Sequence, residues 1–223
     1  MSTPQLETPF DDRLREIPHY QHYPIMMPFV GPQYGSGVLQ KVLLVGESNY
    51  MPPDSTIHQD AEKWYASDQS ALTSEELVWI NNRALVSGDW APAGHMIYRE
   101  LNRRMEEVVD IATGRAMDHV AYVNAFQRPA PVTGQSIGRH LTKKDQKVAR
   151  EVLTQVIEVL SPSHVIIVSK LAWNNLGGPV SNSVASSQFY NTCHPGTGGR
   201  YWHRAEYADG VDKFRRIISA CVS

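Results

Sequence analysis

The chain reads as an α/β protein: three layers, α/β/α, built on a central, mainly parallel four-stranded sheet. Three observations predict it. Short apolar, β-branched runs end abruptly in polar side chains at Val42 to Glu47, Val120 to Asn124 and His164 to Ser169; runs of that kind are strands covered on both faces. Segments of helical periodicity lie between them, the pattern of strand–helix–strand crossovers. Polar residues sit just past the runs, where open parallel sheets bind ligands.

The elements follow in order. Residues 1–39 are rich in Pro, Tyr, His and Gly, as in Ile17-Pro18-His19-Tyr20-Gln21-His22-Tyr23-Pro24. Proline at that density breaks helix and sheet interiors, so an extended arm is expected to lie on a single domain of residues 40–223. His19 and His22 are spaced as metal ligands can be, yet no acidic or cysteine partner is near, and they read as surface residues. Residues 40–46 are the first strand. Thr73-Ser74-Glu75-Glu76 is a capping box opening a helix that should stop near Gly88. His95 to about Thr113 is a second helix, with Ile97, Leu101, Met105, Val108 and Ala112 on one face and Gly114 as its stop. Together these form a largely helical insertion at about 51–115.

Val120 to Asn124 is the second strand. Thr142 caps a long helix with Asp145 at its third position, and Val148, Val152, Val156 and Val159 recur along it. Ser161-Pro162 ends that helix, and His164 to Ser169 is the third strand. A short helix spans Lys170 to Leu176, Gly177-Gly178-Pro179 is a loop, and Ser187 to Thr192 is the fourth strand. The last helix runs from about Arg204 and buries Val211, Phe214, Ile217 or Ile218, and Cys221. There is no internal repeat.

Composition narrows the function classes. At 223 residues the chain suits one domain. A net charge of −2 gives no global basic field for nucleic acid, which leaves a local patch as the only such footing. Cys193 and Cys221 have no CxxC spacing, so neither a zinc site nor a disulfide framework is expected, and no cofactor is implied. No apolar run approaches the ~18 residues of a membrane span, and a cytoplasmic protein without membrane contacts is expected.

A carboxylate (Glu47), a carboxamide (Asn124) and an imidazole (His194) would converge past the strand ends. A plainer role stands beside each: Glu47 accepting from a helix N-terminus, Asn124 bonding its own backbone, Cys193 next to His194 as a small buried residue. The Arg99, Arg103, Arg104 group and the Arg139, His140, Lys143, Lys144 group read as solvated faces, although positive charge at a helix start opposes the macrodipole and mildly favours an anionic partner.

The ordered set resembles the uracil-DNA glycosylase superfamily. Gly46-Glu47-Ser48-Asn49-Tyr50 is similar to the first motif, where members carry Gly-Gln-Asp-Pro-Tyr or Gly-Glu-Ala-Pro-Gly. Tyr122-Val123-Asn124 resembles the central strand whose Asn reads the uracil edge. Leu160-Ser161-Pro162 through Leu176 resembles the Leu-x-Pro, strand and helix stretch, and His194-Pro195-Gly196 the His-Pro-Ser motif that opens the DNA-penetrating loop. The pieces cover most of residues 30–217.

The resemblance implies a uracil-DNA glycosylase-like fold and hydrolysis of the N-glycosidic bond of uracil or another deaminated base in DNA. His194, Glu47 and Ser48 would be catalytic. Asn124, Tyr50 and Gly46 would bind the base, and Gly196, Thr197, Arg200 and Tyr201 would contact DNA. Trp64 or Tyr65 would offer a stacking face. Four departures stand out. Ser48 replaces the water-orienting Asp or Asn, Asn49 replaces Pro, Gly196 replaces the serine of His-Pro-Ser, and the four iron–sulfur cysteines of the Gly-Glu-Ala branch are absent. The alternative is a binding module of the same fold that recognises a nucleobase, a nucleotide, or single- or double-stranded DNA.

Overall fold

The computed structural model describes residues 7–91, 95–195, 202–204 and 209–223. Its first elements are the short helices α1 (Asp11–Arg15) and α2 (Pro18–His22), followed by the edge strand β1 (Phe29–Val30). The segment is therefore not the extended arm expected from its prolines. Pro18 occupies the first turn of α2, where its missing N–H costs nothing and its fixed φ suits a helix, so it starts the element instead of breaking it. Leu14, Ile17, Tyr20, Tyr23 and Met26 are all buried. The buried pair Arg83–Asp11 ties the segment down at 2.7 Å, and the Arg83 Nε donates to the Pro28 carbonyl at 3.1 Å.

The sheet has five strands: β1, β2 (Val42–Gly46), β3 (Ala121–Asn124), β4 (His164–Ile167) and β5 (Gln188–Asn191). Their spatial order is β1-β3-β2-β4-β5. The expected parallel strands are present as β2 to β5, and β1 adds a fifth, antiparallel to β3. Two residues of arm carried too little pattern to read as a strand; pairing with β3 makes them one.

Every residue of β2, β3 and β4 is buried. Leu43, Val45, Val123, Val165 and Ile167 join the core on one face. Val42, Leu44, Tyr122 and Ile166 join the core on the other. That period-two split makes the three layers. The first face packs on α1, α2, Trp64 of α3 (Ala61–Tyr65) and the apolar stripe of α7 (Lys143–Leu160). The second packs on α6 (Met96–Glu106) and α10 (Val211–Ala220).

Both capping boxes form as read. Thr73 opens α4 (Ser74–Ile80) with Glu76, and Thr142 opens α7 with Asp145. The helix expected to run on to Gly88 breaks at Asn81, whose side chain accepts from the Ala84 N–H and starts α5 (Asn82–Ser87). The α6 helix stops at Glu106, short of Thr113, and the buried Val109 bonds back to the Met105 carbonyl.

Gly177-Gly178-Pro179 is helical, not a loop. The helix α8 (Lys170–Ala172) continues through a π-turn at Trp173–Gly177 into α9 (Gly178–Ser181). A Cβ on Gly177 would lie 2.6 Å from the Trp173 ring, so glycine here permits close packing, and Pro179 sits in the first turn of α9. Likewise α10 begins at Val211, because Trp202 leaves the helix path to bury fully against Phe214, with ring centroids 5.3 Å apart.

His19 is buried, contrary to the surface reading, and its ring stacks on Tyr23 at 5.3 Å. Burial, helped by the neighbouring His22, pushes its imidazole down to about 3 from the ordinary 6.5. The unfolded chain therefore binds the extra proton between pH 6.5 and about 3, and this site withdraws stability as pH falls through that window. The slope is at most about 1.4 kcal/mol per pH unit. His58 and His164 are lowered by burial too, and act in the same sense. Urea denaturation at pH 7 and pH 5 should show a smaller acid loss for His19→Phe than for the wild type; equal losses would refute the assignment.

Candidate functional site

The sheet order sets where a crevice opens. From β2 the chain leaves towards β3, and from β4, on the other side of β2, it leaves towards β5. Adjacent strands whose connections diverge leave a gap beyond their carboxyl ends. Glu47 follows β2 and Ser169 lies just past β4, and the Ser169 hydroxyl donates to the Glu47 carboxylate at 2.8 Å. Ser169 also accepts from the Ala172 N–H at the start of α8. Glu47 thus meets the capping side chain of α8 and not the helix amide itself, which Ser169 takes, and it is half-buried.

Beyond the strands the two neighbouring loops stay stitched together. Ala125 N–H donates to the Gly46 carbonyl, Phe126 N–H to that of Glu47, and Ala130 N–H to that of Asn49. The same loop carries Arg128, a fully buried guanidinium that holds both oxygens of buried Asp145 at 2.8 and 2.7 Å. The floor of the crevice is fixed backbone and not a free loop.

His194 is half-buried past β5. Burial lowers its pKa, and the opposing pull of the Glu47 carboxylate does not cancel the effect, so the imidazole is neutral at pH 7. The same carboxylate acts on Tyr50, whose phenol is raised by burial first and by Glu47 second. Glu47 is therefore within electrostatic reach of both Tyr50 and His194. Cys193 is buried and its thiol is raised by burial, which suits a packing role and not a nucleophile.

Asn124 ends β3 and is 4% exposed. Its Oδ1 accepts from the Tyr122 hydroxyl at 3.0 Å and its Nδ2 donates to the Asn49 Oδ1 at 2.8 Å. A carboxamide has two donor hydrogens and two acceptor lone pairs, so one of each remains. Gly46 lies opposite Asn124 in the β2–β3 register. A Cβ there would meet the Tyr122 hydroxyl at 2.0 Å and the Asn124 Oδ1 at 2.4 Å, so glycine is required by its neighbours and not by its own dihedrals.

Of the expected site residues, Glu47 acts on both Tyr50 and His194, and Gly46, just before Glu47, pairs with Asn124 across β2 and β3. Ser48 is half-buried, and its hydroxyl bonds to none of the described residues. Gly196, Thr197, Arg200 and Tyr201 lie outside the described residues. Trp64 is not a stacking platform for a ligand: it is fully buried and stacks on Tyr23 at 4.4 Å. The Tyr65 hydroxyl is engaged with Asp145 at 3.0 Å. Arg104 is buried between Glu100 and Glu107, so that basic group is not simply a solvated face.

Sequence reasoning missed Asn49, Asn82, Tyr122 and Ser169 as members of the site. The only signal was Asn49 standing where the resembling motif has proline. Elsewhere, a cavity of about 460 Å³ is lined by Glu106 to Ile111 and Gly114. These residues run from the end of α6 towards β3 in the chain and include none of the expected site residues. Among the described residues no group of three or more His, Cys, Asp or Glu is placed to hold a metal ion, and no helix is long and apolar enough to cross a membrane. No protein-family model matches the chain, and a search of curated proteins finds no match.

The Gly46 contacts yield a direct check. Gly46→Ala should cost about 1–3 kcal/mol of stability, the usual penalty for overpacking a filled interior. The urea midpoint should drop accordingly, whereas an unchanged midpoint would mean that Tyr122 and Asn124 are free to move aside.

Proposed function

We propose that this crevice takes a nucleobase turned out of a DNA strand, and that the protein is a uracil-DNA glycosylase-like hydrolase of a deaminated base. One observation carries the reading: Glu47, whose carboxylate acts on the half-buried His194 imidazole, follows β2 beside Asn124 of β3, a carboxamide that keeps one donor and one acceptor in hand.

The chemistry suits those groups. The bond between the sugar C1′ and the base nitrogen breaks, and its electron pair leaves with the base. An N–H of neutral His194 would donate to the base oxygen where that negative charge gathers; a donor so placed is worth roughly 3–4 kcal/mol. Glu47 Oε2 is taken by Ser169. The other carboxylate oxygen is left to face the cationic sugar, or to accept a proton from the water whose oxygen adds to C1′. The released base then takes up a proton from solvent. The spare N–H and lone pair of Asn124 match the O4 and N3–H of uracil. Tyr50, beside Glu47, would crowd a 5-methyl group.

A second reading, a binding module without turnover, is favoured by Ser48, a poor base at the position that would orient water. Incubation with labelled oligonucleotides carrying uracil, hypoxanthine or xanthine, followed by alkali, separates the two. Lesion-dependent breaks are expected, reduced ~100-fold or more in His194→Ala and in Asn124→Ala, at unchanged folding. Wild-type turnover in either variant overturns the catalytic roles. Salt-sensitive binding without breaks selects the binding module.

The pH profile of excision is a further check. Because burial holds His194 below 6.5, the rate should be level at neutral pH and above, and fall only on acidification below that value. A rate that declines from pH 6.5 to 8 would require the cationic imidazole and refute the neutral donor.

A further inference from the structure

Three buried carboxamides run in single file from the crevice into the protein. Asn124 Nδ2 donates to Asn49 Oδ1 at 2.8 Å, Asn49 Nδ2 donates to Asn82 Oδ1 at 3.0 Å, and Asn82 Nδ2 donates to the Met26 carbonyl at 2.5 Å. Their exposures are 4%, 5% and 1%, so water does not compete for these bonds. The far end decides the direction. A backbone carbonyl only accepts, so Asn82 must turn its NH₂ towards Met26 and its oxygen towards Asn49. Asn49 must then offer its NH₂ to Asn82 and its oxygen to Asn124. Asn124 must offer its NH₂ to Asn49, and the Tyr122 hydroxyl, which can play either role, donates to the remaining oxygen.

Reversing Asn124 alone would set two oxygens against each other at Asn49 and leave buried groups unpaired, which proteins avoid. Asn side chains in general have no such fixed polarity; an isolated one rotates to suit its ligand. Here the polarity is inherited from Met26, a residue of the N-terminal segment 56 positions from Asn82.

We infer that the Asn49–Asn82 relay makes Asn49 a specificity-determining positioning residue: it fixes which end of the Asn124 carboxamide donates, and so sets the crevice to accept uracil and reject cytosine. The second half rests on the base-reading role proposed above. Uracil presents an acceptor at position 4 and a donor at N3, and cytosine presents the reverse, so a carboxamide of fixed polarity matches one and opposes the other. A carboxamide free to rotate matches both.

Two substitutions at one position make opposite predictions. Leu at position 49 removes the acceptor, whereas Asp keeps one oxygen that accepts from the Asn124 NH₂, its other oxygen taking up a proton to donate to Asn82 as the Asn49 amide does. Binding to single-stranded oligonucleotides carrying one uracil or one cytosine at the same place should show a uracil preference in the wild type. Asn49→Leu should shrink that preference by roughly 10- to 100-fold, the worth of a matched bidentate contact. Asn49→Asp should keep it, even though a carboxyl group held protonated there lowers stability. An unchanged preference in Asn49→Leu, or its loss in both variants, overturns the inference. If Asn49→Leu does not fold by circular dichroism, Asn82→Leu replaces it, since it frees the Asn49 amide to turn and should weaken the preference in the same direction.

Side-chain amide exchange in the intact protein, read by NMR, separates the two halves. Slow exchange of the Asn49, Asn82 and Asn124 amides is expected, and fast exchange of Asn124 in Asn49→Leu. Fast exchange already in the wild type refutes the relay whatever the protein does to DNA. Slow exchange with no distinction between the two oligonucleotides refutes the base-reading role instead.

Discussion

Arg128 and Asp145 form a salt bridge that is 1% and 0% exposed, and the approach to the crevice hangs on it. The guanidinium binds both carboxylate oxygens and also donates to the carbonyls of His58 and His140. Burial pushes the Asp145 carboxyl up, but the Arg128 hydrogen bonds, the Thr142 bonds and the Arg128 charge together hold it below its ordinary value. The same carboxylate receives the Thr142 N–H and hydroxyl at the start of α7 and the Tyr65 hydroxyl at the end of α3. One ion pair therefore joins the loop after β3, the segment before α3 and the first turn of the longest helix. Two charges taken out of water need such complete satisfaction; removing one partner of a buried pair typically costs about 3–5 kcal/mol, because the other is left uncompensated.

What the ion pair holds is the floor of the crevice. With Arg128 pinned, the loop of residues 125–130 lies along residues 46–49 and shares three backbone hydrogen bonds with them. Rigid backbone on both sides of the β2–β3 seam lets short side chains act with defined directions. Glu47 is oriented by Ser169 from β4's exit, and Asn124 by Asn49 and Tyr122. A site with its polar groups turned in advance reorganises little when a ligand enters, which is where polar sites gain their strength. The neutral state of His194 belongs to the same economy: burial removes the charge, and Glu47 opposes this without reversing it.

Local signals were legible in the sequence. Both capping boxes are written within four residues, and they form at Thr73 and Thr142 as read. The three apolar runs became β2, β3 and β4 because β-branched residues at that density fit only a doubly covered sheet. Prolines misled: Pro18 and Pro179 sit in first turns of helices, positions a count of prolines does not distinguish from breaks. The α6 helix and α10 are shorter than their apolar spacing suggests, since Val109 and Trp202 reach the same core from non-helical backbone.

The sequence by itself determined that Glu47, Asn124 and His194 come to one edge of a parallel sheet, because strand ends are marked by the residues that compose them. It also determined the helix starts, whose capping partners are three residues apart. Only the tertiary structure decided which way the Asn124 carboxamide faces, that Trp64 is spent on Tyr23, and that Arg128 meets Asp145. A hydrogen bond between side chains 75 residues apart, such as that of Asn124 with Asn49, leaves no periodic trace along the chain. Its existence depends on how the layers stack, and its direction on a backbone carbonyl at Met26 that no side-chain pattern records.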